Sequence, residues 1–370
     1  MAAPSKIDRE LANFVTSVQS IARGETEFKH GPSTLEFAWT SQCNLRCVMC
    51  SQSDNPPVMK VTKEKAAPFL DKVFESVVIW NPSATSEPLL NDVDEMLRIC
   101  DKHGVYLELY TNATRLSPAV FDKIAHRIHR LTLSIDSHVP EVLEAVREPI
   151  KAAKVFPNIE YALRRSAELS IPCVINAVLM TETLIHFPEL VDWVADRGGK
   201  EITILDMIDG SSQAKFHDAF EDHGVARVEE VLNLMKERST HRGVNLTFLL
   251  REPYTGRFVN VPVSTRIHEA LVIERFQESH ASNSPGFCPM VTNYLKVLPD
   301  GDAYPCCRGP LELRLGNVYE EGMDAVWNGE KAQALRKAMY TNNPPEPCKN
   351  CLIRTKAILD AKGNFETKAK

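Results

Sequence analysis

The sequence lacks the features that would assign it to several common classes of protein. No apolar run approaches the roughly 18 residues that a membrane-spanning helix requires. Residues 1–29 carry charged side chains throughout, which is unlike a secretory signal peptide. The net charge of −6 offers no basic surface of the kind that binds nucleic acid. We therefore expect a cytoplasmic protein with no membrane and no nucleic-acid partner.

Cysteine, in contrast, is plentiful. The 370 residues include ten cysteines, and 44% of the chain is hydrophobic and 25% charged. This composition is typical of a globular protein, and the length suits one large domain or two ordinary ones. Because disulfides are rare in a reducing compartment, the cysteines indicate metal ligands or catalytic thiols.

Short β-rich runs alternate with amphipathic helical patterns over residues 35–250. This alternation predicts an α/β fold with a parallel sheet covered by helices, and six repeats predict a partial (β/α)6 TIM-like barrel. In such sheets ligands bind beyond the carboxyl ends of the strands. The strand candidates are LEFAWT (35–40), SVVIW (76–80), YLELYT (106–111), LTLSID (131–136), CVINAVL (173–179) and EITILDM (201–207), with NLTFLL (245–250) as a further one.

Composition changes along the chain predict the domain organisation. Regular periodicity is lost after the barrel, and a turn-rich segment with several cysteines follows. The last residues carry several lysines and are expected to fray. The predicted divisions are an N-terminal helical extension at 1–34, the barrel at 35–250, a connector at 251–285, a small cysteine-rich domain at 286–355 and a flexible tail at 356–370.

Three cysteines lie on one short loop after the first strand candidate. Cys43, Cys47 and Cys50 occur in CNLRCVMC, on the rim where such sheets bind ligands. A disulfide would use two of them, and a structural zinc site normally takes four ligands. An iron–sulfur cubane held by three cysteines keeps one iron open for a substrate or cofactor.

This loop resembles the cluster motif of the radical SAM superfamily. The resemblance implies that Cys43, Cys47 and Cys50 hold a 4Fe–4S cluster whose open iron chelates the amino and carboxylate groups of S-adenosylmethionine (SAM). It also implies that reduction of the cluster cleaves SAM to a 5′-deoxyadenosyl radical, which removes hydrogen from an unactivated C–H bond.

Further motifs of the family occur in order at successive strand ends. TSEPLL (85–90) stands where the family has Gly-Gly-Glu-Pro, so Thr85 and Ser86 replace both glycines while Glu87 is kept. YTNATRL (110–116) resembles Thr-Asn-Gly-x-x-Leu, with Ala113 in place of the glycine. The resemblance implies that SAM is contacted by Met49, Thr85, Ser86, Glu87, Thr111, Asn112, Ser134 and Asn176.

A second set of cysteines lies near the C-terminus. The pattern C-x12-G-x4-C followed by C-x2-C resembles the SPASM/twitch extension of radical SAM enzymes. No cysteine follows Cys351, so we expect the shorter twitch (half-SPASM) form with one auxiliary 4Fe–4S cluster. The expected ligands are Cys288, Cys306, Cys348 and Cys351. A four-cysteine zinc site is the alternative, and Cys307 could exchange roles with its neighbour.

A fully ligated auxiliary cluster has no open iron, which suits it to electron transfer. The resemblance extends to twitch enzymes that dehydrogenate aminocyclitols and sugar alcohols. We therefore expect an oxidoreductase that oxidises a secondary alcohol of a polar small molecule to a ketone, with an electron donor such as flavodoxin or ferredoxin.

Three alternatives stay open. One is an epimerase, for which Cys307 is the candidate hydrogen donor, and another is a peptide-modifying maturase. The third is a zinc-stabilised scaffold without catalysis. Cys100 and Cys173 are expected in the core. Polar residues at the rim that either bind substrate or form ordinary salt bridges are Asp136, Arg147, Asp206 and Asp209.

Overall fold

The structure is a computed structural model that describes residues 12–351, except 14, 18, 22, 207–216, 251–287, 289, 308, 310, 342 and 350. The predicted connector at 251–285 and the predicted tail at 356–370 lie outside the described residues, as does Asp209. No helix in the described part of the chain is long and apolar enough to cross a membrane.

Among the described residues, ten strands join into one sheet in the order β10-β9-β8-β1-β2-β3-β4-β5-β6-β7. Strands β8 and β1 to β7 are parallel, and β9 and β10 extend the sheet antiparallel. The predicted partial TIM-like barrel is thus confirmed. The strands are β1 Thr34–Phe37, β2 Ile79–Asn81, β3 Tyr106–Thr111, β4 Ile128–Ser134, β5 Cys173–Val178, β6 Glu201–Leu205, β7 Asn245–Leu249, β8 Tyr294–Val297, β9 Asp302–Tyr304 and β10 Gly316–Asn317.

Helices lie between successive strands of the barrel, and some of them begin at capping side chains. Thr62 accepts the N–H of Lys65, and Asp92 accepts the N–H groups of Asp94 and Glu95. The helices are α1 Lys63–Val73, α2 Val93–His103, α3 Pro118–Ile124, α4 Pro140–Val146, α5 Ala152–Leu169, α6 Thr181–Leu184, α7 Phe187–Asp196, α8 Ala219–Arg242, α9 Met290–Asn293, α10 Met323–Asn328, α11 Glu330–Tyr340 and α12 Glu346–Lys349.

The barrel strands alternate apolar and polar side chains. In β1, Leu35 and Phe37 are buried in the main hydrophobic core, and Glu36 lies between them. Strand β3 repeats this pattern around Glu108. Since successive side chains of a strand point to opposite faces, the apolar set packs under the helices and the polar set faces the barrel interior.

Strand β8 attaches the C-terminal segment to the barrel. It pairs in parallel with β1, so that Tyr294 stands opposite Thr34. Strand β9 then returns antiparallel, with Tyr304 opposite Lys296. Because β9 runs back toward the amino end of β1, the cysteines that follow β9 lie at the opposite end of the sheet from the loop that follows β1.

The C-terminal segment has a hydrophobic core of its own, which we call the C-terminal core. Partly buried side chains around it include Cys306, Cys307 and Cys348. Its buried members come from the N-terminal segment, from residues 288–294, from the turn between β9 and β10, and from α11. They are Ile21, Cys288, Met290, Val291, Tyr294, Leu313, Leu335 and Met339.

Candidate metal centres and cofactor site

The loop after β1 carries the first three cysteines and is held by backbone hydrogen bonds. Cys47 is buried, whereas Cys43 and Cys50 are half-buried. The Cys50 N–H donates to the Cys47 carbonyl (3.0 Å), which closes a turn. The N–H of Arg46 donates to the Glu148 carbonyl (2.6 Å), so the loop is anchored to the segment after α4. The three thiols are therefore presented from a fixed backbone.

A buried ion pair lies beside the central cysteine of this loop. The Arg147 guanidinium donates to both carboxylate oxygens of Asp136, at 2.6 and 3.1 Å. Its remaining terminal nitrogen, Nη1, lies 3.8 Å from Cys47 Sγ. These two rim residues are thus partners of each other, which was one of the two roles expected from the sequence. The guanidinium places a fixed positive charge against the Cys47 sulfur.

The electrostatics of the loop suit thiolates that are stabilised by a metal. Burial raises the pKa of Cys47 to about 12, and the Arg147 charge opposes this rise. Burial also raises the pKa of the Cys43 thiol. Both groups are therefore neutral thiols in the metal-free protein at neutral pH. Binding of a cationic metal group would displace their protons, as is general for cysteine ligands.

A network of side chains connects the cysteine loop to two other motifs. The buried Glu87 carboxylate accepts the Thr111 hydroxyl (2.5 Å) on one oxygen and the Asn112 N–H (2.9 Å) on the other. The Asn112 amide donates to Asn44 (3.0 Å), which lies in the cysteine loop. Glu87 also lies near Cys43, because its charge contributes to the raised pKa of that thiol. The predicted SAM residues Glu87, Thr111 and Asn112 therefore form one unit with the loop.

Two positions where the resembling family has glycine keep a glycine-like backbone here. Thr85 has a φ of 71° and Ala113 a φ of 59°, both in the left-handed region. The Thr85 carbonyl accepts the side-chain amide of Gln52 (2.9 Å), which follows the third cysteine of the loop. Ser86 donates to the Ser83 carbonyl instead. Thr85 and Ala113 thus adopt a conformation that favours glycine although both carry side chains.

The remaining predicted SAM residues lie on adjacent elements of the same rim. Ser134 on β4 stands opposite Asn176 on β5, and both side chains are half-buried. Met49, within the cysteine loop, packs partly buried against the main core. Asp206, at the end of β6, is buried. These polar residues therefore lie on neighbouring strand ends of one sheet.

The second set of cysteines comes together at the other end of the sheet. Burial raises the pKa of Cys288 well above its usual value, and the thiols of Cys306, Cys351 and Cys348 raise it further. Each of these three thiols therefore lies near Cys288. In the described part of the chain, no group of three or more His, Cys, Asp or Glu side chains is already arranged to hold a metal ion. The Cys307 thiol contributes instead to the raised pKa of Tyr294 on β8. Cys306 and Cys307 both pack against the C-terminal core, to which Tyr294 belongs.

The other two cysteines pack as expected for core residues. Cys100 in α2 is fully buried in the main core, and burial raises its pKa to about 12. Cys173 opens β5 and packs partly buried against the same core. Neither contributes to the grouped sulfurs described above.

Comparison with known proteins assigns the class. Residues 38–194 match the model of the radical SAM superfamily, and residues 288–352 match the model of an iron–sulfur cluster-binding domain, SPASM. Together the two matches include strands β2 to β5 of the barrel and both sets of cysteines. The chain belongs to the radical SAM superfamily and carries a C-terminal SPASM-type domain.

Individual relatives are distant but extend over most of the chain. The chain is 24% identical over 324 residues to the AdoMet-dependent heme synthase of Methanosarcina barkeri, covering 83% of this chain and 85% of that protein. It is 23% identical to the PqqA peptide cyclase of Methylobacterium sp. strain 4-46, covering 86% of this chain and 78% of that protein. The structure of Streptococcus suis SuiB bound to S-adenosylmethionine is similar in fold, with a TM-score of 0.62, 16% identity and 96% and 79% coverage.

The two domains imply SAM and 4Fe–4S clusters as cofactors. The residues present fit these groups. The cysteine loop offers three sulfur donors beside a fixed cation. In the second set, Cys288, Cys306 and Cys348 belong to or pack against the C-terminal core, and the Cys351 thiol also lies near Cys288. Thiolates are the ligands that iron–sulfur clusters take, and three of them leave one iron open.

Proposed function

We propose that the protein is a radical SAM oxidoreductase that oxidises a secondary alcohol of a polar substrate to a ketone. The observation that carries the proposal is a second set of four cysteines, Cys288, Cys306, Cys348 and Cys351, within the segment that matches an iron–sulfur cluster-binding domain. Four thiolates would complete the coordination of an auxiliary cubane and leave it no open iron. Such a cluster is suited to accept an electron rather than to bind substrate.

The bound groups would supply the radical and redox chemistry, namely a 5′-deoxyadenosyl radical from SAM and a one-electron acceptor at the auxiliary cluster. Cys43, Cys47 and Cys50 would hold the SAM-binding cluster. Glu87, fixed by Thr111 and Asn112, keeps two carboxylate oxygens near this loop, and a carboxylate has lone pairs left to accept an ammonium group. We assign the SAM contacts to this rim.

The barrel interior supports a polar substrate. The strand positions that face it include Glu36, Glu108, Thr132, Ser134 and Asn176. Polar groups in a partly dry site favour a substrate with matching hydroxyl groups. A substrate that lacks such a hydroxyl leaves these protein groups without a hydrogen-bond partner, which is costly. We infer that a polyhydroxylated small molecule fits this interior.

A peptide substrate is the second candidate, and the similarity to a protein named PqqA peptide cyclase over most of the chain favours it. An epimerase is a third, since the Cys307 thiol lies near Tyr294 at the barrel wall. An external one-electron donor such as flavodoxin or ferredoxin belongs to all three proposals. We further propose the domain divisions given by the sequence, with the barrel at 35–250 and the auxiliary domain at 286–355.

The proposal is tested with the reconstituted protein in deuterium oxide. Sugar alcohols, aminocyclitols and short peptides are screened by 5′-deoxyadenosine formation, and the products of active compounds are analysed by mass spectrometry. Alcohol oxidation predicts loss of two hydrogens and no solvent deuterium at the reacting carbon. Epimerisation predicts one solvent deuterium there and dependence on the Cys307 thiol. A Cys307→Ala variant should oxidise normally, and Cys100→Ala serves as the matched control for loss of a thiol. Turnover confined to peptides would overturn the alcohol proposal.

A further inference from the structure

A buried ionic group joins the barrel wall to the C-terminal segment. The Lys296 ammonium lies 3.2 Å from the Glu36 carboxylate, across the paired strands β8 and β1. The Tyr294 hydroxyl donates to the other oxygen of the same carboxylate. All three residues are at least nine-tenths buried. The proposed function places Glu36 on the barrel interior but gives no role to Lys296 or to its ion pair with Glu36.

This group is bonded to the backbone of the segment that carries Cys306 and Cys307. The Lys296 ammonium donates to the Cys307 carbonyl (2.9 Å), one residue after the proposed ligand Cys306. Tyr294 belongs to the C-terminal core together with Cys288. The charged groups therefore extend from the barrel interior to the backbone of the cluster loop. Among them, the ammonium is the one bonded to that loop directly.

A stabilising role alone does not explain the pair. Removing two charges from water is costly, and well-packed apolar residues in place of a buried ion pair are often neutral or stabilising. A carbonyl that needs a donor could also be satisfied by a neutral group. Unlike a neutral donor, the Lys296 ammonium also places a positive charge beside the proposed auxiliary cluster, and Glu36 fixes the position of this charge.

We propose that Lys296 is a positioning residue for the auxiliary cluster, which holds the Cys306–Cys307 turn and stabilises the reduced state of the cluster by its charge. The potential of an iron–sulfur cluster depends on nearby charge and on hydrogen bonds, and a cation favours the state with one more electron. Lys296 thereby makes the cluster a better acceptor for an electron that comes from the barrel.

Other titratable groups lie near the Lys296 ammonium and affect the expected shift in potential. Glu36 opposes its effect, but lies on the barrel side. Glu108, on β3, also faces Tyr294, since its charge contributes to the raised pKa of that tyrosine. Burial is the main cause of that rise, so Tyr294 stays a neutral donor. Removing Glu36 and removing Lys296 should therefore act in opposite directions.

The test is the midpoint potential of the auxiliary cluster, followed by electron paramagnetic resonance in redox titrations of the full-length reconstituted protein. Lys296→Met should shift the potential to a more negative value, and Glu36→Gln to a more positive one. Lys296→Arg, which keeps the charge, should stay near the wild type. Tyr294→Phe is the matched control, because it removes a hydrogen bond in the same group and leaves every charge in place.

Lys296→Met leaves the Glu36 carboxylate buried without its cation and could fail to fold. The Glu36→Gln/Lys296→Met double variant avoids this cost, and its potential should be more negative than that of Glu36→Gln alone. Equal potentials for these two variants, or shifts of one sign in all variants, would overturn the inference. Loss of auxiliary iron in every variant would also overturn it, in favour of a purely structural role.

The inference rests on the proposed auxiliary cluster, and the iron content separates the two. A wild-type protein with about four irons would overturn the proposed function and this inference together. A wild-type protein with about eight irons and potentials that ignore Lys296 would overturn this inference alone.

Discussion

Thr85 has a backbone conformation that is unfavourable for threonine, and its replacement by glycine should stabilise the protein. Thr85 is β-branched and has a φ of 71°, which is a rare conformation for such a residue. The left-handed conformation costs an L-residue about 1–2 kcal/mol. Glycine avoids this cost but loses about 0.5–1 kcal/mol of chain entropy on folding. The Thr85 side chain is exposed, so little packing is lost.

The net expectation for Thr85→Gly is a gain of about 0–1.5 kcal/mol in the free energy of unfolding. Ser86→Gly is the matched control at the adjacent position, which has no positive φ. It should lose stability by about 1–2 kcal/mol, from chain entropy and from the Ser86–Ser83 hydrogen bond. Urea unfolding of the metal-free variants measures both changes. A Thr85→Gly variant that unfolds at lower urea than the wild type would refute the reasoning.

Three further predictions follow from buried groups and turns. Arg147→Met leaves the Asp136 carboxylate buried without its cation and should lower the free energy of unfolding, measured in urea, by about 3–5 kcal/mol. Adding Asp136→Asn to this variant should recover part of the loss. If the stability losses of the two substitutions simply add in the double variant, the ion-pair interpretation is contradicted. Gly301→Ala should lower the amount of iron bound by the C-terminal cysteines, because a Cβ at residue 301 would stand 2.4 Å from neighbouring side chains. Gly322→Ala is the control, since Gly322 also has a positive φ but lies in open space, and this variant should keep its iron. Equal losses of iron in the two variants would contradict the role of the steric clash. Burial raises the pKa of the Cys100 thiol in the folded protein to about 12, whereas an unfolded thiol has a pKa of about 8.5. The neutral Cys100 thiol therefore contributes fully to the free energy of unfolding below about pH 8.5, and this contribution is lost as the pH rises toward the pKa of the folded state. The stability difference between the metal-free wild type and Cys100→Ala should therefore shrink above about pH 8.5, and a constant difference would argue against the shift.

The barrel could be predicted from the sequence because its strands are local patterns. Each candidate run from LEFAWT to NLTFLL corresponds to a strand of the sheet. Strand β2 begins at Ile79, later than the apolar run at residue 76, since the N–H groups of Ser76 and Val77 still bond to the Val73 carbonyl at the end of α1. Hydrophobic periodicity does not show at which residue a helix ends.

The pairing of β8 with β1 could not be predicted in the same way. The two strands are separated by more than two hundred residues, and no local pattern specifies a partner at that distance. The buried ionic group was missed for the same reason. Glu36 and Lys296 each look like an ordinary surface charge in a short strand, and only the pairing of their strands brings them together. Asn44 likewise shows its role only beside Asn112.

The central claim is that one loop of three cysteines holds the SAM-binding cluster and that a second, separate set holds another. Anaerobic reconstitution, iron analysis and SAM cleavage with a strong reductant test it in three proteins. The wild type should bind about eight irons and cleave SAM, and the Cys348→Ala/Cys351→Ala variant should bind about four and still form 5′-deoxyadenosine. The variant with alanine at Cys43, Cys47 and Cys50 should keep about four irons and form none. Zinc in place of iron, or SAM cleavage that persists without the three loop cysteines, would contradict the account.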